Sequence, residues 1–317
     1  MIAKVNAGPS KKMSSLKRRL KKYSLLYLAA LPGFIYLIIN NYMPMVGLSL
    51  AFKKFSFAKG IFKSPWNGIE NFTYLFSSKW AKIMFRNTVL YNLAFIVFGT
   101  IFAIFVAILL SEIRNPRARQ TYQTLILIPH LISMVLVGYL VYAFLATKTG
   151  FVNKQIIEKL GGESVNFYTE KKYWPYILIF VNLWKSFGFQ SIVYYATIIG
   201  FDRCYYESAV LDGANIWQQI TRITFPLLRP TVIILLIMSL GRMFASDFGL
   251  FYQVPLNTGT LYPVTTTIDT FVYRALMEDH DVGRSLSAGF LQSVLGFVLV
   301  VTTNTIVRKI EPDSALY

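Results

Sequence analysis

The sequence predicts an all-α, polytopic membrane protein with six transmembrane helices and a polar loop between the fourth and the fifth. Hydrophobic residues make up 55% of the 317 residues and charged residues only 15%, whereas soluble domains carry about 25% charged residues. Six segments are apolar over the roughly 20 residues that a helix needs to cross a bilayer. Because the bilayer core offers no water to the backbone, each segment is expected to be a helix.

The six predicted spans follow one another within residues 23–310, which we predict to be one transmembrane domain. Their predicted bounds are Tyr23–Met43, Asn87–Leu110, Thr124–Ala146, Tyr176–Ile199, Thr231–Asp247 and Leu286–Val307. In the second span, small residues recur every four positions at Gly99, Ala103, Ala107 and Ser111. This spacing gives one face on which another helix can approach closely, and it indicates helix packing.

The two ends of the chain are predicted to lie in the cytoplasm. Residues 1–22 form a basic tail with eight Lys and Arg residues directly before the first span, and such clusters stay on the cytoplasmic side. Six crossings return the short tail at residues 311–317 to the same side. Because the positive charge is concentrated beside the membrane, we expect it to contact anionic lipid headgroups rather than nucleic acid.

The sequence predicts no catalytic site and no metal site. His130 lies in the third predicted span and His280 in an outer loop, and neither has Cys or carboxylate neighbours in the sequence. Cys204 is the single cysteine, so an internal disulfide is excluded. A phosphate-binding loop of the form G-x-x-x-x-G-K-[ST] is missing. We therefore expect a protein that is not an enzyme and that binds no cofactor itself.

The polar loop spans about residues 201–229 and has the composition of two short helices. Asp212 and Gly213 interrupt it, because a glycine allows the chain to reverse where a Cβ would clash. We expect Pro226 to end the second short helix and Pro230 to begin the next span. From the residues alone, the loop is either an ordinary connection or a docking surface for a soluble partner.

A motif in this loop resembles the EAA motif of ABC importer permeases. Its elements are Glu207-Ser208-Ala209, then Gly213 after three residues, then Ile223 after nine more, and then Phe225-Pro226. The chain departs from the family pattern in two places, with Ser208 for the second motif alanine and Phe225 for the usual leucine. Further resemblance to carbohydrate-uptake permeases of the maltose type, and within them to the branch that includes the alginate importer, lies in residues 23–34, 68–72, 86–88 and 289–293.

The resemblance implies a permease subunit of a binding-protein-dependent importer in the bacterial inner membrane. Its implied partners are a second, homologous permease, two ATPase subunits that bind ATP and Mg, and an external solute-binding protein. The implied cargo is an oligosaccharide or polysaccharide. In the family the EAA loop forms coupling helices that sit in a cleft of the ATPase. The residues expected to make this contact are Glu207, Ser208, Ala209, Asp212, Gly213, Ala214, Trp217, Ile223 and Pro226.

Polar residues within the spans point to a substrate path. Lys185 and Arg242 are predicted to lie near the bilayer midplane, where a charge is costly unless it faces a cavity or a partner. Asn182, Lys185 and Phe189 share one helical face, with Gln190 nearby, and an aromatic and polar wall suits sugar rings. Two cations at this depth would favour acidic sugars. Alternatively, both cations pair with Asp247 or with carboxylates of the second permease.

A different class of function remains open from the residues alone. A secondary transporter of a small polar solute would need carboxylates within the spans to bind its coupling ion, and it often shows inverted repeats. Asp247 is the single candidate carboxylate, and no internal repeat is evident. Copurification with an ATPase subunit would separate the two classes.

Overall fold

The computed structural model describes residues 22–310, so the predicted tail at 311–317 and all but Lys22 of the basic tail lie outside the described part. The described residues form helices and turns, with one isolated antiparallel bridge between Lys53 and Trp66. The helices that are numbered in the text are α1 (Ser24–Leu37), α2 (Glu70–Ser77), α3 (Lys79–Glu112), α4 (Pro116–Leu131), α5 (Met134–Leu145), α6 (Trp174–Ile199), α7 (Arg203–Leu211), α8 (Ile216–Gln219), α9 (Phe225–Gly241), α10 (Phe248–Gln253), α11 (Ile268–Met277) and α12 (Val282–Ile310).

Shorter helical turns extend or connect these helices. The additional α-turns are Met43–Met45, Gly60–Lys63 and Tyr262–Thr265. The π-turns are Ile38–Tyr42, Val152–Ile157 and Ile220–Thr224. The 3₁₀ turns are Val46–Phe52, Glu158–Leu160, Lys171–Tyr173 and Gly259–Leu261.

The predicted fold class is confirmed. Among the described residues, five continuous helical stretches are long and apolar enough to cross a membrane, and a bent pair makes a sixth if it is counted as one span. The five stretches are Ser24–Phe52, Lys79–Glu112, Lys171–Ile199, Ile216–Gly241 and Val282–Lys309. The first of them stands apart, because no residue of α1 is buried and burial begins only at Leu50 and Ala51 near its end.

The prediction of one continuous third helix over Thr124–Ala146 is wrong. Two helices, α4 and α5, replace it and meet at an angle of 92° across a two-residue break. The local reasons are Pro129 in the last turn of α4 and Ser133 at the start of α5. A proline disturbs hydrogen bonding one turn earlier, and the Ser133 hydroxyl accepts a hydrogen bond from the Leu136 amide at 3.4 Å, as an N-cap does.

The predicted bounds of the fifth span, Thr231–Asp247, are also wrong. One continuous helical stretch runs from Ile216 to Gly241, so Pro226 does not end a helix and Pro230 lies within α9. The π-turn directly before α9 explains this difference. Its hydrogen bonds span five residues and widen the helix, which accommodates a proline that has no N–H to donate.

Among the described residues, the most extensive contact between two helices is that of α3 with α6. Gly99, Ala103 and Ala107 of α3 are buried, which confirms that the small-residue face serves helix packing. On the other side of α6, a Cβ added at Gly188 would lie 1.9 Å from the Ile126 carbonyl oxygen of α4. Helix α6 therefore lies between α3 and α4, with backbone-to-backbone contact on the α4 side.

Two apolar cores lie along α3 and α6 and leave a gap between them. One contains Tyr91, Trp174 and Phe251 among its buried members. The other, nearer to the polar loop, contains Ala103, Tyr194 and Leu228 among its members. The stretches between these cores, at about residues 92–100 of α3 and 182–193 of α6, are the middle of both helices and carry polar side chains.

Candidate functional site

The polar loop begins with a capped helix and reverses at Gly213. The Asp202 carboxylate accepts a hydrogen bond from the Cys204 amide at 2.9 Å and caps α7. At the other end, the Gly213 amide donates to Val210 O at 3.0 Å and the Ala214 amide donates to Ala209 O at 2.8 Å. These two bonds form a Schellman motif. Gly213 has φ +77°, a conformation that residues with a Cβ rarely adopt.

Helix α8 starts directly after this turn with a reciprocal cap. The Asn215 side chain accepts from the Gln218 amide at 2.9 Å, and the Gln218 side chain accepts from the Asn215 amide at 2.8 Å. The Tyr206 hydroxyl also lies 3.0 Å from the Thr224 hydroxyl and joins α7 to the π-turn before α9. Helix α8 continues through the π-turn into α9 without a break, so the loop and the span share one continuous helical stretch.

The predicted coupling residues lie together in this loop. Six of them are exposed, namely Glu207, Ser208, Asp212, Gly213, Trp217 and Pro226. Three are half-buried, namely Ala209, Ala214 and Ile223. The exposed members offer carboxylates and an indole to the surroundings, whereas the half-buried members pack the loop against the bundle.

Several large apolar side chains in the loop were not predicted as contact residues. Leu211 is 88% exposed, beside the predicted Trp217 at 72%. Tyr205, Val210 and Ile216 are also exposed. An available sequence signal was that four of these residues, Val210, Leu211, Ile216 and Trp217, lie within four positions of the Gly213 reversal. We refer to the five exposed apolar residues of this loop segment, Tyr205, Val210, Leu211, Ile216 and Trp217, as the apolar patch.

A cavity of about 310 Å³ occupies the gap between the two apolar cores. Four of the predicted substrate-path residues line it, namely Asn182, Phe189, Gln190 and Asp247. The cavity lies at the middle of α3 and α6, so it corresponds to the centre of the membrane-spanning bundle. Among the described residues that line this cavity, Asp247 is the only charged one.

Sequence reasoning missed about half of the polar lining. Asn92 and Thr100 come from α3, Ser186 and Tyr194 from α6, and Ser239 from α9. Their positions in the middle of apolar spans were the available signal. The sequence prediction rests largely on charged residues, whereas amide and hydroxyl groups supply most of the polar lining.

Arg242 follows the last residue of α9, so the helix predicted to carry it in its middle ends one residue before it. Arg242 is not among the cavity-lining residues, although Ser239 and Asp247 on either side of it in the sequence are. The segment that follows is held from two sides. The Asn92 side chain donates to Met243 O at 2.9 Å, and the Asp269 carboxylate accepts from the Ser246 amide at 2.6 Å. This anchoring brings Asp247, the N-cap of α10, to the cavity.

Lys185 lies in the middle of α6, as predicted, but its ammonium group is turned away from the cavity lining. It donates to His130 O at 2.8 Å, to Pro129 O at 3.4 Å and to Ile132 O. These carbonyls belong to the break between α4 and α5. Neither predicted cation therefore supplies charge to the cavity wall, and the argument from two midplane cations for an acidic sugar does not hold.

At the ends of the spans opposite the polar loop, a second cavity of about 430 Å³ has a charged and aromatic lining. There the Arg284 guanidinium stacks on the Tyr74 ring, 3.7 Å from its centroid, and lies 2.9 Å from the Asp281 carboxylate. His280 and Phe55 also line this cavity. Within residues 22–310, no group of three or more His, Cys, Asp or Glu side chains is placed to hold a metal ion.

Comparison with known proteins agrees with this geometry. A family model for the binding-protein-dependent transport system inner membrane component matches residues 99–312. The polygalacturonan/rhamnogalacturonan transport system permease protein YteP of Bacillus subtilis (strain 168) is 32% identical over 94% of this chain and 92% of its own length.

Two solved structures share the fold over almost the whole chain. One is a bacterial ABC transporter involved in the import of the acidic polysaccharide alginate, with 34% identity, a TM-score of 0.86, and coverage of 94% of this chain and 99% of that chain. The other is a bacterial alginate ABC transporter in complex with an alginate pentasaccharide-bound periplasmic protein, with 33% identity, a TM-score of 0.84, and coverage of 92% and 97%. The resemblance drawn from the EAA motif is thus confirmed, and the chain belongs to the binding-protein-dependent transport system inner membrane components, the permeases of ABC importers.

Proposed function

We propose that this permease imports acidic oligosaccharides, of the uronide kind, by ATP-driven alternating access as one half of a heteromeric permease pair. The observation that carries the proposal is the mid-bundle cavity, whose lining combines aromatic rings with amide and hydroxyl groups. Substrate sites of transporters are typically found near the bilayer midplane. The relative named for polygalacturonan and rhamnogalacturonan transport and the alginate importer support an acidic sugar as cargo.

The cavity lining suits a sugar acid without a cation from this chain. Phe95 and Phe189 offer ring faces for the C–H side of a pyranose. The amides of Asn182 and Gln190 each carry two N–H donors for a carboxylate or a hydroxyl. The Asp247 carboxylate is an acceptor only, so it bonds hydroxyl groups and repels a sugar carboxylate. We therefore expect the carboxylates of the cargo to lie toward the amides and away from Asp247.

The polar loop is the proposed binding site for an ATPase subunit. Leu211 and Trp217 are apolar and largely exposed, and tryptophan is among the residues that most often dominate the binding energy of an interface. Glu207 and Asp212 flank them with carboxylates that can bond to donors of the partner. ATP and Mg are bound by the partner ATPase subunits in this proposal. Closure of those subunits moves α7 and α8, and the continuous helix carries the motion into the bundle.

The same proposal fixes the orientation of the chain. The loop and both chain ends lie on the cytoplasmic side, because the basic N-terminal residues stay there and the loop follows an even number of crossings. The charged cavity beside Tyr74 and Arg284 then faces outward. Its mixture of aromatic, acidic and basic side chains suits the docking of an external solute-binding protein, and the complex of the alginate importer with a periplasmic protein supports such a partner.

Reconstitution of the complete importer in proteoliposomes tests this function. We expect ATP-dependent uptake of alginate pentasaccharide or of oligogalacturonate when the second permease, the ATPases and the binding protein are all present. Omission of the ATPase subunits should abolish uptake. Uptake that requires an ion gradient and no ATPase subunit would contradict the proposal and would favour a secondary transporter.

A further inference from the structure

The break between α4 and α5 leaves backbone carbonyls that a membrane cannot satisfy. The last four carbonyl groups of a helix have no partner within that helix, and lipid offers no hydrogen-bond donors. At the start of α5, the Ser133 hydroxyl supplies a cap. At the end of α4, the Ile132 amide donates to Pro129 O at 3.3 Å, which leaves further carbonyl capacity at the break.

The side chain of Lys185 supplies hydrogen bonds to this break. An ammonium group has three N–H donors and no acceptor. The Lys185 ammonium contacts three carbonyl oxygens, those of Pro129, His130 and Ile132. The three donors are therefore matched by three backbone acceptors. The cation also faces the C-terminal end of α4, where the helix dipole favours positive charge.

Two contacts connect the break to the cavity wall. The His130 imidazole stacks on the Phe189 ring, with centroids 4.9 Å apart and planes 12° apart, and Phe189 lines the cavity. One turn from Lys185, Gly188 allows the α4 backbone to approach, because a Cβ there would meet Ile126 O at 1.9 Å. The break therefore contacts the cavity wall directly, through the ring of Phe189.

We propose that Lys185 is a positioning residue for transport: its ammonium group holds the break between α4 and α5 against α6, so that His130 keeps Phe189 in the cavity wall. This inference rests on the proposed function of the cavity. It assigns the midplane cation to the backbone of the same chain, and it gives Lys185 no direct contact with the charge of the cargo. Charge selection then depends on other groups of the assembled importer.

The first arm of the test measures the break without any transport. In the complete importer, Cys204 is replaced by serine and Ile132 by cysteine, and the rate of maleimide labelling is measured in proteoliposomes. Lys185→Met should raise this rate about ten-fold, because it removes hydrogen bonds from a charged donor. Lys185→Arg keeps several N–H donors and should stay within about two-fold of the parent. Lys148→Met, in an exposed loop, is the matched control.

The second arm measures uptake of alginate pentasaccharide by the same variants. For Lys185→Met we expect the maximal rate to fall about ten-fold with KM changed less than about two-fold, and for Lys185→Arg we expect partial rescue of the rate. Unchanged labelling in Lys185→Met would overturn the proposal. A rise in KM alone, with the maximal rate preserved, would also overturn it, because it would indicate direct contact with the cargo. If the parent importer takes up no oligosaccharide, the proposed function fails while the labelling arm still decides the role of Lys185.

Discussion

The polar loop and the mid-bundle cavity reverse the usual placement of side chains in opposite ways. The loop leaves the bundle and yet exposes apolar residues such as Leu211 and Trp217. The cavity lies in the middle of apolar spans and yet is lined by polar groups such as Asn182 and Gln190. Exposed apolar groups are stabilised when a protein partner removes them from water, and polar groups within a membrane bundle are stabilised by hydrogen bonds to a polar ligand. We propose on this basis that the loop binds a protein partner and that the cavity binds a polar ligand.

The two regions also differ in how they are built. The loop is organised by hydrogen bonds between residues a few positions apart, such as those that form the turn at Gly213. The cavity is assembled from α3, α6 and the segment after α9, which lie far apart in the sequence. A substitution in the loop should therefore affect coupling while cargo affinity is preserved. A substitution in the cavity should do the reverse.

The largest effect is expected at Gly213, whose backbone has φ +77°. Gly213→Val places a β-branched residue in a strained region that costs about 1–3 kcal/mol. We expect it to lower the ATPase activity stimulated by the loaded binding protein more than about ten-fold. Gly289→Val is the control, because open space surrounds that position and its φ is not positive. Stimulation equal to that of the parent in Gly213→Val would contradict a coupling role for this turn.

A second large effect is expected for the apolar patch of the loop. Replacing Leu211 and Trp217 together by serine removes exposed apolar area that the ATPase subunit would bury, and a tryptophan anchor at an interface is worth about 2 kcal/mol or more. Pull-down of the ATPase subunit by the detergent-solubilised permease should fall at least about ten-fold. Leu160→Ser is the matched control, since Leu160 is 82% exposed in a different loop. An equal loss in both variants would show that the patch has no specific partner.

A smaller effect, confined to cargo, is expected in the cavity. Asn182→Ala removes an amide that we expect to bond the sugar, at a cost of about 1–1.5 kcal/mol. KM for uptake of alginate pentasaccharide should rise about ten-fold, while ATPase activity without cargo stays the same. Arg242→Gln tests the boundary of the site, because this residue does not line the cavity, and its KM should remain that of the parent. A higher KM in Arg242→Gln with none in Asn182→Ala would restore the cation argument.

The smallest effect is expected at the reciprocal cap of α8. Asn215→Ala removes one hydrogen bond at a helix N-terminus, which is worth about 1 kcal/mol. We expect the stimulated ATPase activity to fall about two- to five-fold with no change in KM for the cargo. Asn215→Asp keeps the acceptor and should behave as the parent does. A change in KM for the cargo would mean that a substitution in the loop also alters cargo binding in the cavity, and it would contradict the separation of the two regions.

The local geometry of the polar loop was predictable in large part, apart from its far end. Glu207, Asp212 and Gly213 lie where the motif predicted, because a capped helix and a glycine turn are determined by adjacent residues. The prediction failed at Pro226, where a π-turn lets the helix continue. That outcome depends on the helix packing along its whole length, and the local preference of proline does not reveal it.

The cavity was predictable only in part, and the errors have one physical cause. Polar residues at the middle of spans were visible in the sequence, and Asn182, Phe189, Gln190 and Asp247 do line the cavity. The direction of a long, flexible side chain was not visible. Lys185 was expected to face either the cargo or a carboxylate. Instead it donates hydrogen bonds to backbone carbonyls at the break between α4 and α5. That break was itself unexpected, because one continuous helix was predicted there.

The sequence by itself determined the membrane class, the helical fold, the family and the glycine turn of the polar loop. These features follow from composition, from the length of apolar segments and from residues that contact neighbours a few positions away. The tertiary structure decided which polar side chains meet in the cavity, where Arg242 and Lys185 point, and how the third span is broken. Those outcomes depend on contacts between distant helices, since a buried donor takes whichever acceptors the packed bundle leaves without a partner.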